Sequence, residues 1–148
     1  MPPRTLECYA ANLNIHLTPI WQALLAYEKR LMNQKDFEIN SLIDMRWTLK
    51  DSFRLLESLF ECHQQVVLNW RQYPSHITAA YLLASLMQCY SLENNVEKAN
   101  LFISLLLASI EIFLEIIDTW WTAGRLDDWQ QEYIVERYVK YRTILADI

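Results

Sequence analysis

The sequence predicts an all-α bundle of five or six helices, and three observations lead there. Glycine occurs once in 148 residues, at Gly124, so few positions favour a turn over a helix. Apolar residues recur at spacings of three, four and seven over most of the chain, the period of a helix face. No segment alternates apolar and polar residues between turn signals as a half-buried strand does, and no repeat of 33–45 residues recurs.

The elements follow in order. Leu6–Leu17 reads as a first helix. Thr18-Pro19 then restarts the chain, with Thr18 as N-cap and Pro19 at the first helical position, where its missing N–H costs nothing. The second helix is expected to run to about Asn33 and to bury Ile20, Trp21, Leu24, Leu25 and Leu31. A polar stretch, Asn33–Phe37, forms a loop. A long third helix, or two in sequence, spans about Asn40–Trp70 with Phe53, Leu56, Phe60 and Val67 on its apolar face. Tyr73-Pro74-Ser75 ends it.

The fourth helix, Ser75–Leu92, carries Ile77, Tyr81, Leu82, Leu86 and Tyr90, and Asn94-Asn95 stops it. The fifth, about Val96–Ala123, is hydrophobic most of the way round and should be the central, most buried element. The sixth, about Asp128–Leu145, is amphipathic.

This length suits one domain, residues 1–148, with a proper core. Hydrophobic residues make up 53%, too many for a disordered segment. Six Trp and eight Tyr exceed what one small domain readily buries, so some are expected to face a partner. A net charge of −5 and basic residues scattered among acids exclude a phosphate-backbone surface, and with it nucleic acid as a partner. Leu101–Trp121 is apolar enough to span a membrane. However, Glu111, Glu115 and Asp118 fall on one face at i, i+4 and i+7, and each acid at mid-membrane costs about 2.5–3.5 kcal/mol. No apolar signal region opens the chain, so the expectation is a soluble, intracellular protein without a membrane partner.

Chemistry is sparse. There is no phosphate-binding glycine loop, nucleophile elbow or paired cysteine motif. Cys8, Cys62 and Cys89 are too far apart for a disulfide framework to be read and are expected to be reduced, buried thiols. Cys62-His63 are adjacent and point about 100° apart on a helix, so they cannot readily share a metal. Glu111 with Glu115 reads as a solvated stripe rather than a metal site. No catalytic residue, cofactor or metal is expected.

The most informative stretch is Trp120–Val135, WWTAGRLDDWQQEYIV. A glycine at a helix end tolerates the left-handed conformation that closes it, and Asp128 four residues later can cap the sixth helix. The stretch resembles a signature of the gamma-tubulin complex component family, W-hydrophobic-x-x-G-x-L-x-D-x-x-x-E-aromatic-hydrophobic. The matches are Trp120, Gly124, Leu126, Asp128, Glu132, Tyr133 and Ile134. Leu17–Leu31 is similar to the family's Leu-x-Pro-aromatic stretch, and Ile39–Leu59 to the helix after it; Trp121, Thr122 and Trp129 give it a component 5 character.

The resemblance covers about residues 6–136 and implies part of an N-terminal grip domain, a non-catalytic scaffold of the microtubule-nucleating ring. Its partners would be neighbouring complex components, at the centrosome or another microtubule organizing centre of the cytoskeleton and cytoplasm. Family members carry a second grip domain that binds gamma-tubulin. This chain is therefore expected to be a fragment or truncated relative, without a direct gamma-tubulin site.

The corner residues also have a purely structural reading. Trp120 would be a core anchor, Asp128 an N-cap and Glu132 a first-turn charge favoured by the helix dipole. The interface candidates are then the surplus aromatics Trp70, Tyr73, Trp129, Tyr138 and Tyr141. An alternative function is a stand-alone helical ligand-binding or regulatory adaptor domain with an aromatic-lined pocket or groove.

Overall fold

A computed structural model describes residues 2–33, 42–67 and 71–133. Within these the chain is all helix and connection, with no strand. The helices are α1 (Arg4–Asn33), α2 (Leu42–Thr48), α3 (Lys50–Val66), α4 (Ser75–Leu92) and α5 (Val96–Ala123). α1 and α4 both pack on α5 and both pack on α3, which makes a four-helix bundle with α3 diagonal to α5; α2 leans on α3. The core is Tyr9 and Ile20 of α1, Leu59, Cys62 and Val66 of α3, Leu82 and Leu86 of α4, and Leu101, Phe102, Leu105 and Leu106 of α5.

α1 departs from the expected pair of helices, because Pro19 lies inside a continuous helix. Proline removes the N–H that would reach the Ile15 carbonyl, and Ile15 faces solvent, where water can take that bond. The Thr18 hydroxyl caps nothing and donates back to the Asn14 carbonyl at 2.9 Å. Tyr9, Ile20 and Tyr27 are buried on both sides of the proline, so packing holds the helix straight through a position that local preference would break. Of the five residues expected to be buried beyond Pro19, Ile20 is buried and Leu24 packs against the core. Trp21, Leu25 and Leu31 are exposed, since a wide apolar stripe exceeds what two neighbours cover.

α2 and α3 are two helices in sequence, separated by Leu49, whose N–H donates to Met45 and whose carbonyl accepts from Phe53. Of the four apolar residues expected on one face, Val67 packs against the core just past α3, and the helix itself buries a different stripe. Leu59, Cys62 and Val66 enter the core, whereas Phe53, Leu56 and Phe60 are exposed. α4 and α5 span the expected residues. The Asn95 side chain caps α5 by accepting from Glu97 N–H at 2.9 Å and Lys98 N–H at 3.3 Å.

α5 is long and apolar enough, by length and composition, to cross a membrane. Seven of its residues, from Leu101 to Ile116, are buried. Glu111, Glu115 and Asp118 line its exposed side, as their spacing predicts.

Candidate functional site

Gly124 closes α5 in the left-handed region, at φ 64° and ψ 16°, with its N–H donating to the Trp120 carbonyl at 3.0 Å. The next residues run irregularly to a turn in which Gln131 N–H donates to the Asp128 carbonyl, Gln131 itself standing at φ 52°.

The expected sixth helix therefore does not begin at Asp128. Residues 128–133 are turn and coil, and the rest of that helix, with its Tyr138 and Tyr141, lies outside the described residues. The Asp128 carboxylate accepts from Glu132 N–H at 2.9 Å and Tyr133 N–H at 2.8 Å, four and five residues on. It caps a loop, where a helix N-cap was expected.

Glu132 is also relocated by the structure. It is no first-turn charge: it is buried, 3% exposed, and its carboxylate meets the beginning of the chain. It accepts from Arg4 N–H, from Thr5 N–H at 3.0 Å and from the Thr5 hydroxyl, and Gln130 Oε1 takes Arg4 N–H at 2.9 Å. These amides belong to the first turn of α1, whose N–H groups have no partner within the helix and carry the positive end of its dipole. A glutamate 127 residues away is thus the cap of α1.

Tyr133 follows it inward and stacks on Phe113, ring centroids 4.7 Å apart. Burial raises its phenol above the usual tyrosine range, and the Glu132 and Asp128 carboxylates add to the shift. Arg4 reaches Glu115 of α5 at 3.3 Å. The corner is a latch that ties the start of α1 to the end of α5.

The remaining motif residues divide. Leu126 is half-buried. Trp120, expected as a core anchor, is 52% exposed, because the last turns of α5 extend past the helices that cover its middle. Among the interface candidates Trp129 is 65% exposed and Tyr73 is also exposed. Trp129 lines a shallow depression with Arg4, Glu115, Ile116, Thr119 and Asp127, and Tyr73 is not part of it. Trp70 lies outside the described residues, as Tyr138 and Tyr141 do.

The interface candidates drawn from the sequence left out Trp121, 85% exposed beside Trp120, and the exposed Trp47 of α2. Sequence reasoning also missed Thr5, whose part in the latch depends on contacts that no local pattern encodes.

The polar groups elsewhere are arranged for packing. Tyr9 Oη lies 3.4 Å from His63 Nδ1, and burial pushes the Cys62 thiol up to about 12. Cys62 is buried, as expected, whereas Cys8 and Cys89 are only half-buried; all three are free. His16, bonded to the Ser104 hydroxyl at 3.1 Å, is lowered by burial. Among the described residues no three His, Cys, Asp or Glu side chains gather as a metal site would need. Comparison of the chain with protein-family models, with curated proteins and with solved structures returns no match.

Proposed function

We propose that this chain is a non-catalytic scaffold module of a gamma-tubulin ring complex, similar to part of an N-terminal grip domain, making lateral contacts between components during microtubule nucleation. The observation that carries the reading is the latch. The residues that match the family signature, Gly124, Asp128, Glu132 and Tyr133, act together as one device that joins the start of α1 to the segment after α5. On this reading the signature residues close the fold and do not themselves touch a partner.

The contacts are then made by aromatic rings beside the latch. Trp129 stands exposed next to it, with Trp120 and Trp121 on the last turn of α5, and exposed Trp is over-represented where proteins bind one another. The partners are sister complex components in the cytoplasm, at the centrosome or another microtubule organizing centre. No nucleic acid, membrane or direct gamma-tubulin contact is part of the proposal, and component 5 remains the proposed type.

The test is co-sedimentation of wild type and Trp129→Ala with recombinant sister components. Association should fall at least several-fold in the variant while the melting temperature stays within the small range usual for surface substitutions. Unchanged association would remove Trp129 from the interface.

One observation favours the adaptor reading. α2 and α3 form an open groove lined by Ile43, Trp47 and Phe53 together with Arg46, Lys50, Arg54 and Glu57. A ligand-binding domain would show a thermal shift with some small apolar molecule there, and a scaffold would not.

A further inference from the structure

The open side of α5 carries two parallel stripes. At about 100° per residue, Ile103, Leu107, Ile110, Leu114, Ile117 and Trp121 fall within a sector of about 80°. Their spacings of four, three, four, three and four are those of a heptad seam. Leu107, Leu114 and Trp121 are more than half exposed, and the three isoleucines are half-buried. The buried residues of α5 lie on its other faces and Ile103 packs against the core, which leaves the seam open at Leu107, Leu114 and Trp121. Along one flank, within the next 80° or so of the helix, stand Asp118, Glu111 and Glu115, all exposed. Glu115 shares its charge with Arg4, while Glu111 and Asp118 have no cation beside them among the described residues.

We propose that this face of α5 is a docking seam for a basic amphipathic helix of a partner protein. Such a helix would set its own apolar residues at three-and-four spacing between Leu107, Leu114 and Trp121, and place Lys or Arg against Glu111 and Asp118. The acids decide among the occupants that an apolar seam could take. A second copy of this chain brings another acidic flank and a net charge of −5. An anionic lipid surface is repelled by the same residues, since helices that lie on membranes carry Lys and Arg beside their apolar face. A basic helix gains from both stripes at once. The proposal rests on α5 alone and holds whether or not the chain is a ring component.

The test is calorimetric titration of the full chain with two synthetic helical peptides that share a Leu/Ile heptad seam. One peptide carries lysines at the flanking positions and the other glutamates. The lysine peptide should bind at least about ten-fold tighter, equivalent to about 1.4 kcal/mol, with the difference shrinking as salt is raised. Glu111→Lys with Asp118→Lys should reverse the preference. Leu114→Gln should weaken both peptides without lowering the melting temperature.

Equal binding of the two peptides would overturn the proposal. So would no binding of either. Dimerisation abolished by Leu114→Gln, or capture by phosphatidylserine vesicles in place of the lysine peptide, would overturn it as well. Recovery of sister components by the Leu114→Gln chain keeps the ring reading separate from this one.

Discussion

Glu132→Ala tests whether the start of α1 is tied to the segment after α5 as the structure describes. The substitution removes the acceptor for Thr5 N–H and the Thr5 hydroxyl, and one of two acceptors for Arg4 N–H. Thr5 is fully buried, so its two donors lose their partner with no water to replace it. A buried donor left unpaired costs about 1–3 kcal/mol, and loss of a helix cap about 0.5–2 kcal/mol; these overlap, so about 2–4 kcal/mol is expected for the variant.

At this chain length about 2–4 °C of melting temperature goes with each kcal/mol, which predicts a fall of roughly 5–15 °C. Glu132→Gln keeps one oxygen that can accept from Thr5, and should lose about half as much. Urea unfolding followed by circular dichroism measures both, and a double-mutant cycle with Thr5→Val isolates the pair. A loss below about 0.5 kcal/mol for Glu132→Ala, the level of an ordinary surface change, would refute the latch. A cycle without coupling between Thr5 and Glu132 would refute it too.

The remaining predictions concern single residues. A Cβ at Gly124 meets nothing within 4 Å, so Gly124→Val should cost only backbone strain at positive φ, about 1–2 kcal/mol, and Gly124→Asn less, both read from thermal melts. His16 is lowered from 6.5 by burial, so the unfolded chain binds the extra proton more readily than the folded one does. The His16 contribution is fully present above pH 6.5 and is lost as pH falls below it. His16→Asn should therefore flatten the change in melting temperature between neutral and mildly acid buffer. With its thiol near 12, Cys62 should resist an aromatic disulfide reagent at pH 8 until the chain unfolds, and reaction at the rate of a free thiol would contradict its burial.

The α4 and α5 boundaries were legible because residues of one local meaning stand at them: Pro74-Ser75, Asn94-Asn95 and Gly124. Pro19 shows the limit of that reasoning. Its local preference is to start a helix, and burial of Tyr9, Ile20 and Tyr27 on either side outweighs it. In α3 the period was readable and the face was not. Two apolar stripes run along it, Phe53-Leu56-Phe60 and Leu55-Leu59-Cys62-Val66, and only tertiary packing chooses between them. The corner residues were identifiable as a group, and Gly124 as its left-handed end. The bond from Glu132 to α1 was not, since a contact across 127 residues has no signature in spacing. Trp120 shows the same gap from the other side: its place on α5 was legible, its exposure was not.

Affinity capture tests the scaffold account most directly. Tagged chain, first shown to be helical and monodisperse, is incubated in cell extract, and the retained proteins are identified by mass spectrometry. The account predicts gamma-tubulin complex components enriched over a tag-only control, and enriched less with Trp129→Ala. A folded, monodisperse chain that retains none of them would contradict it.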